Sequence, residues 1–119
     1  MVSEPERCRP WIEGALAYSG GTHDFDDIAA GIETGRFQLW PAPDGCLVTE
    51  IINYPKKRVL NVFLAGGKMA QIIDMNDAVC AWGKAHGCDT ITINGRPGWA
   101  KVAAPFGWKP IFTALEKDL

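Results

Sequence analysis

Glu50 stands in the middle of the run CLVTEIINY, on the same face of an extended chain as Val48 and Ile52. A carboxylate held among apolar neighbours, in a sheet covered on both faces, is suited to take a proton from an amine, directly or through water. Its plainer role is that of an exposed strand glutamate, or of a partner to Lys57 or Arg58 across the next turn. Further on, FLAGGKMAQ (63–71) ends an apolar run with two glycines and a lysine and then turns to helical spacing. A helix start offers unpaired N–H groups and the positive end of a dipole, and glycines let an anion come close. Gly66, Gly67 and Lys68 are therefore the ingredients of an anion-binding junction, with a tight strand-to-helix turn as the alternative. The loop of nucleotide hydrolases needs G-x-x-x-x-G-K-[ST]. Met69 stands where its hydroxyl belongs and no glycine lies five residues before Gly67, so the motif requirements for nucleoside triphosphate binding are not met.

Other chemically suggestive residues have structural readings. His23, Asp24, Asp26 and Asp27 lie close in sequence, but helical spacing scatters them around a first turn, where acidic groups favour the dipole. They read as caps rather than metal ligands. Cys8, Cys46, Cys80 and Cys88 have no C-x-x-C spacing, which supports structural thiols over zinc or a disulfide framework. Arg96 beside Trp99 reads as an exposed basic and aromatic pair able to touch a phosphate or a protein partner. Trp11, Trp40, Trp82 and Trp108 read as core or edge packing.

Composition narrows the classes. The 119 residues, 47% apolar with five Trp and five Phe, suit a single domain over 1–119. The net charge is −2, with basic residues scattered, which argues against a nucleic-acid partner. MVSEPERCRPW has no apolar signal-like core and the apolar runs are shorter than a membrane span, so no membrane association and a cytoplasmic location are expected.

The elements that must position these residues follow from periodicity. Ser3 and Glu6 have capping-box spacing before a helix over 4–18, with Pro10 moving its regular start to Arg9 or Pro10. Asp24 or Thr22 caps a second helix in which Phe25, Ile28, Ala29 and Ile32 share a face and Gly35 stops. RFQLW, CLVTEIINY and RVLNVFLA are three consecutive strands separated by turns at PAPDG and PKK. A helix of four to five turns is expected from Met69 to Gly87, then a short strand DTITIN, a short helix in PGWAKVAAPFG, and a last strand in WKPIFTALEKDL. The order is α-α-β-β-β-α-β-α-β, a mixed α/β chain. The helix crossover makes the strand ending at Ala65 and the one starting at Asp89 parallel neighbours.

This order over about residues 4–117, the strand-Gly-Gly-helix junction at 64–70 and the ending GWAKVAAPFGWKPIFTALEK resemble the GNAT superfamily of acyl-CoA-dependent N-acyltransferases, in a short form seen among phage and prophage proteins. The resemblance implies a mostly antiparallel sheet with a splayed parallel central pair, RVLNVFLA and DTITIN, holding acetyl-CoA between them. It implies that the coenzyme pyrophosphate rests on Leu64, Ala65, Gly66, Gly67, Lys68 and Met69 and that Asn94 bonds the pantetheine, while Glu50, from its place in the strand, is the candidate base. Asn94 before Gly95 also reads as a turn residue.

The chain departs from the family pattern in three ways. The family loop [QR]-x-x-G-x-[GA], aligned on Gly67, finds Leu64 and Met69 at its ends; aligned on Gly66 it finds Phe63 and Lys68. The tyrosine four residues before the Gly-aromatic pair is replaced by Ala103, and the family's first strand is missing. Two functions follow from the resemblance: an N-acetyltransferase with a small-molecule or protein amine acceptor, or a catalytically inactive GNAT-like module that binds a protein partner, as in a phage particle, where it would be virion-associated.

Overall fold

The computed structural model describes residues 2–95 and 98–119; Arg96, read above as half of a basic and aromatic pair, lies outside them. Helix α1 (Glu4–Arg7) and helix α2 (Arg9–Leu16) replace the single helix expected over 4–18. The division falls at Cys8, just before Pro10, whose ring supplies no N–H to a continuous ladder. Ser3 caps α1, its Oγ accepting from the Glu6 N–H at 3.4 Å. Helix α3 (Phe25–Thr34) has a reciprocal cap: Asp24 Oδ1 accepts from Asp27 N–H at 2.9 Å and Asp27 Oδ2 accepts from Asp24 N–H at 3.0 Å. The Asp27 amide holds the Asp24 carboxyl below its ordinary range. Gly35, left-handed at φ 84°, ends the helix.

Strands β1 (Phe37–Ala42), β2 (Gly45–Tyr54), β3 (Lys57–Gly67) and β4 (Thr90–Ile93) form one sheet in that order. The first two pairings are antiparallel and β3–β4 is parallel, as the helical crossover requires. That crossover is two helices, α4 (Met69–Asp74) and α5 (Asn76–Ala85), rather than one continuous helix, with the break at Met75. A bulge opposite Val48 and Thr49 lets both Phe63 and Leu64 pack with the core on the α2–α3 face.

The sheet is covered on both faces. Ile12, Leu16, Phe25, Ile28, Phe37, Val48 and Leu64 fill one side under α2 and α3; Leu47, Leu60, Val62, Ile72 and Val79 fill the other under α4 and α5. Cys8 and Cys46 belong to the first core, with burial pushing the Cys46 thiol up to about 12. Buried Thr49 is satisfied by accepting from Trp40 Nε1 and donating to Gln38 Oε1.

After a short helix α6 (Gly98–Ala103) and a 3₁₀ turn at Ala104–Phe106, the chain runs on without forming the expected last strand. β4 offers only four residues to pair with, and Pro110 lacks the N–H that a ladder needs. The parallel pair therefore lies at the edge of the sheet rather than at its centre.

The two glycines at the end of β3 are packing residues. A side chain on Gly66 would meet the Trp11 carbonyl at 2.6 Å, and one on Gly67, at φ 102°, would run into the backbone of Asp44 and Gly45. Gly67→Ala therefore combines backbone strain with a collision, and we expect a loss of roughly 2 kcal/mol or more by urea denaturation. An unchanged urea midpoint would show that the hairpin does not press on this residue.

Candidate functional site

Strands β3 and β4 pair through Val59–Thr90, Leu60–Ile91, Asn61–Thr92 and Val62–Ile93, and the Asn94 N–H adds a last bond to the Val62 carbonyl at 3.3 Å. Beyond it, Phe63–Gly67 continue along β2 with no partner from β4. The two strands part because β3 is held by its other neighbour while β4 ends at Asn94 and Gly95. The parting opens a cavity of about 50 Å³ on the α4–α5 face.

That cavity is walled by Val62 and Ala65 of β3, Ile91 and Ile93 of β4, Ile72 and Val79 of the crossover helices, and Trp99, Ala103 and Trp108 after them. Its lining is apolar apart from Asn76, whose Oδ1 accepts from Trp108 Nε1 at 3.3 Å. Trp99, expected exposed, is half-buried here, and a side chain on Gly95 would collide with its ring. Trp108 is half-buried against Asn76, in keeping with its reading as a packing residue. Sequence reasoning missed Asn76 and the isoleucines of β4 as lining. DTITIN was expected as a short strand, but not that one side of it would face a gap.

The loop residues are distributed differently from one another. Leu64 points into the α2–α3 core, while Ala65 faces the cavity. Gly66 and Gly67 are crowded by Trp11 and by the β1–β2 turn, and the Lys68 N–H donates to the Asp44 carbonyl at 2.9 Å. Lys68 Nζ lies 3.6 Å from Asp44 Oδ2, which also accepts from Gln71 Nε2 at 3.1 Å. Met69 begins α4 and is exposed, and Asn94 is exposed with its backbone closing the β3–β4 ladder.

Glu50 is on the opposite face from the cavity. Across the sheet, Phe37, Glu50, Asn61 and Thr92 are directly opposite one another on successive strands. Glu50 is half-buried, and its carboxylate has no hydrogen-bond or ion-pair partner among the described residues. Arg58, one candidate partner, instead donates to the His86 carbonyl and to Asn53 Oδ1. The row is flanked by aromatic rings: Phe37 stacks on Phe63 at 5.8 Å, and His23 meets Phe63 edge-on at 4.9 Å. His23 Nδ1 is 2.7 Å from Thr22 Oγ1. Among the described residues no group of three His, Cys, Asp or Glu side chains could hold a metal, and no helix is long and apolar enough to cross a membrane.

No protein-family model matches the chain, and no curated protein matches it in sequence. Solved structures do match it in shape. A probable acetyltransferase superposes with a TM-score of 0.72 at 7% identity, covering 98% of this chain and 92% of its own. An acetyltransferase from Trypanosoma brucei gives 0.63 at 10% identity, covering 93% and 94%. A transcriptional regulator from Bacillus halodurans gives 0.65 at 13% identity, covering 80% and 75%. At such identities the likeness is one of fold. The mixed sheet with its parting parallel pair, and these neighbours, give the chain a GNAT-like fold.

Proposed function

We propose that the chain is an N-acetyltransferase that binds acetyl-CoA between β3 and β4 and passes its acetyl group to an amine. The observation that carries this reading is the apolar cavity where the two parallel strands part, in a fold shared with acetyltransferases. For the donor, Val62, Ala65 and Ile93 would wall the thioester, with Asn76 the polar residue among the described lining, and the strands would part further to admit the arm, the cavity itself being about 50 Å³. For the pyrophosphate, Gly66, Gly67, Lys68 and Met69 remain the proposed loop and Asn94 the proposed pantetheine contact. Lys68 would exchange Asp44 for phosphate, a change that costs little because both side chains are largely exposed, at 70% and 52%.

Glu50 is the proposed base for the amine. A thiolate with a pKa near that of a cysteine, about 8.5, leaves without a proton donor. Ala103, at the cavity wall where the resemblance calls for a tyrosine, offers none. Orientation and proton removal then carry the rate.

A second reading, a non-catalytic interaction module such as one in a phage particle, is favoured by two observations. Both loop glycines are taken up by packing, and the final segment exposes Ile111, Phe112 and Leu115 at 64%, 74% and 94%. Titration calorimetry with acetyl-CoA separates the readings. We expect saturable binding by the wild type and its loss in Ala65→Leu, which fills the cavity while keeping a cooperative melt. Absence of heat from the wild type at millimolar acetyl-CoA would favour the module.

Asp44→Asn removes the negative charge that competes for Lys68, and we expect acetyl-CoA affinity to rise by about two- to five-fold at low salt and less at high salt. Weaker binding in that variant would remove Lys68 from the phosphate site. Glu50→Gln should lower turnover by about 10²-fold or more with affinity for acetyl-CoA retained. Unchanged turnover would eliminate Glu50 as the base.

A further inference from the structure

Asn61 is 3% exposed, in the middle of β3, at the last rung but one before the strands part. Thr92 Oγ1 on β4 donates to its Oδ1 at 2.8 Å, which fixes the amide plane and turns Nδ2 away from β4. Nδ2 has no acceptor among the described residues. Buried amide groups ordinarily find one. Every fully enclosed side-chain N or O among the described residues does have a partner, so Nδ2 is not fully enclosed. Directly opposite on β2 is Glu50, whose carboxylate is also unpartnered. Cross-strand neighbours of this kind carry their Cβ atoms about 5 Å apart. A strong donor and a strong acceptor thus lie side by side, neither used by the fold, on the α2–α3 face one rung before the strands part and near the rings of Phe37 and Phe63.

Resting on the acyl-transfer reading above, we propose that Asn61, held by Thr92, is a catalytic residue whose Nδ2–H donates to the acyl carbonyl oxygen, and that the acceptor is a primary amine whose aromatic or apolar body packs on the half-buried ring of Phe63, which Phe37 backs from the core. The amine nitrogen forms the new C–N bond with its lone pair while the carbonyl π electrons move onto oxygen, where Asn61 stabilises the developing charge. Glu50 takes the proton from the attacking nitrogen. The oxygen pair then re-forms the carbonyl as the C–S bond breaks, the sulfur leaves as thiolate, and Glu50 returns the proton to it. The products are the amide and the free thiol, with no oxidant or further reactant required. Thr92 acts through Asn61 as a positioning residue.

The test uses the full chain with acetyl-CoA and phenethylamine, following N-acetylphenethylamine and free coenzyme thiol by chromatography, with acetyl-CoA affinity measured alongside by calorimetry. Asn61→Ala should lower kcat by about 10²–10³-fold, the range for loss of one such donor, with acetyl-CoA affinity within about two-fold. Thr92→Val should lower kcat by about ten-fold and Thr92→Ser should restore it, because only the hydroxyl orients the amide. Should Asn61→Ala not fold, the Thr92 pair decides: equal rates in the Val and Ser variants overturn the proposal, and loss with rescue supports it. Wild type that binds acetyl-CoA but transfers acetyl to neither phenethylamine nor water overturns the roles of Asn61 and Glu50 and leaves the coenzyme site standing. Wild type that does not bind acetyl-CoA overturns the acyl-transfer reading itself.

Discussion

Everything distinctive about this molecule depends on where the parallel pairing of β3 and β4 stops. Four residues of β4 are held against β3, whereas β3 itself is held along its whole length by β2. A strand paired on one side keeps its course when the partner on the other side turns away. The gap that results has two faces with different chemistry. On the α4–α5 side it is apolar and walled by Trp99 and Trp108; on the α2–α3 face Glu50, Asn61 and Thr92 stand on the paired rung just before it opens. A thioester reaching through from the apolar side would present its carbonyl to the polar side, which is the division of labour that acyl transfer needs.

The Gly66-Gly67 pair shows how one local signal serves more than one physical demand. Read alone, two glycines and a lysine before a helix invite a phosphate. In the fold, Gly66 gives α2 room to press its Trp11 carbonyl onto the end of β3, and Gly67 gives the turn at Asp44 room to cross. Those contacts fix the start of α4, and through it the cavity wall at Ile72. The glycines therefore shape the site through packing, and Lys68 is an exposed charge of the loop, paired at the surface with Asp44.

Legibility in the sequence followed the range of the interactions. The Asp24 cap, the Gly35 stop and the three strands through Gly67 are set by neighbours a few residues apart, and they were readable to within one or two residues, as was the parallel pairing that a helical crossover demands. The α1–α2 break was signalled by Pro10, which put the regular helix start at Arg9 or Pro10, and α2 begins at Arg9; the α4–α5 break was not, because a near-helical residue at Met75 leaves the apolar period almost undisturbed. The last strand had β-type composition, but a strand needs an edge, and β4 supplies too few rungs for a segment containing Pro110. In the site, Glu50 was singled out by alternation, and Ala65 by the resemblance as a pyrophosphate-loop residue, whereas in the fold it walls the cavity. Asn61, Thr92 and Asn76 were not legible, since their significance arises only from register across strands and from a helix start brought back beside Trp108.

The central claim is that an acyl-CoA thioester enters the gap between β3 and β4. Two-dimensional NMR of the labelled protein during titration with acetyl-CoA tests it most directly, by following the methyl groups of Val62, Ala65, Ile91 and Ile93 and the indole N–H signals of Trp99 and Trp108. The account predicts saturable shifts concentrated on those signals, with the methyls of Ile12 and Ile28 in the opposite core almost unmoved. Shifts confined to the outer surface of the loop, or no shift at saturating acetyl-CoA, would contradict it.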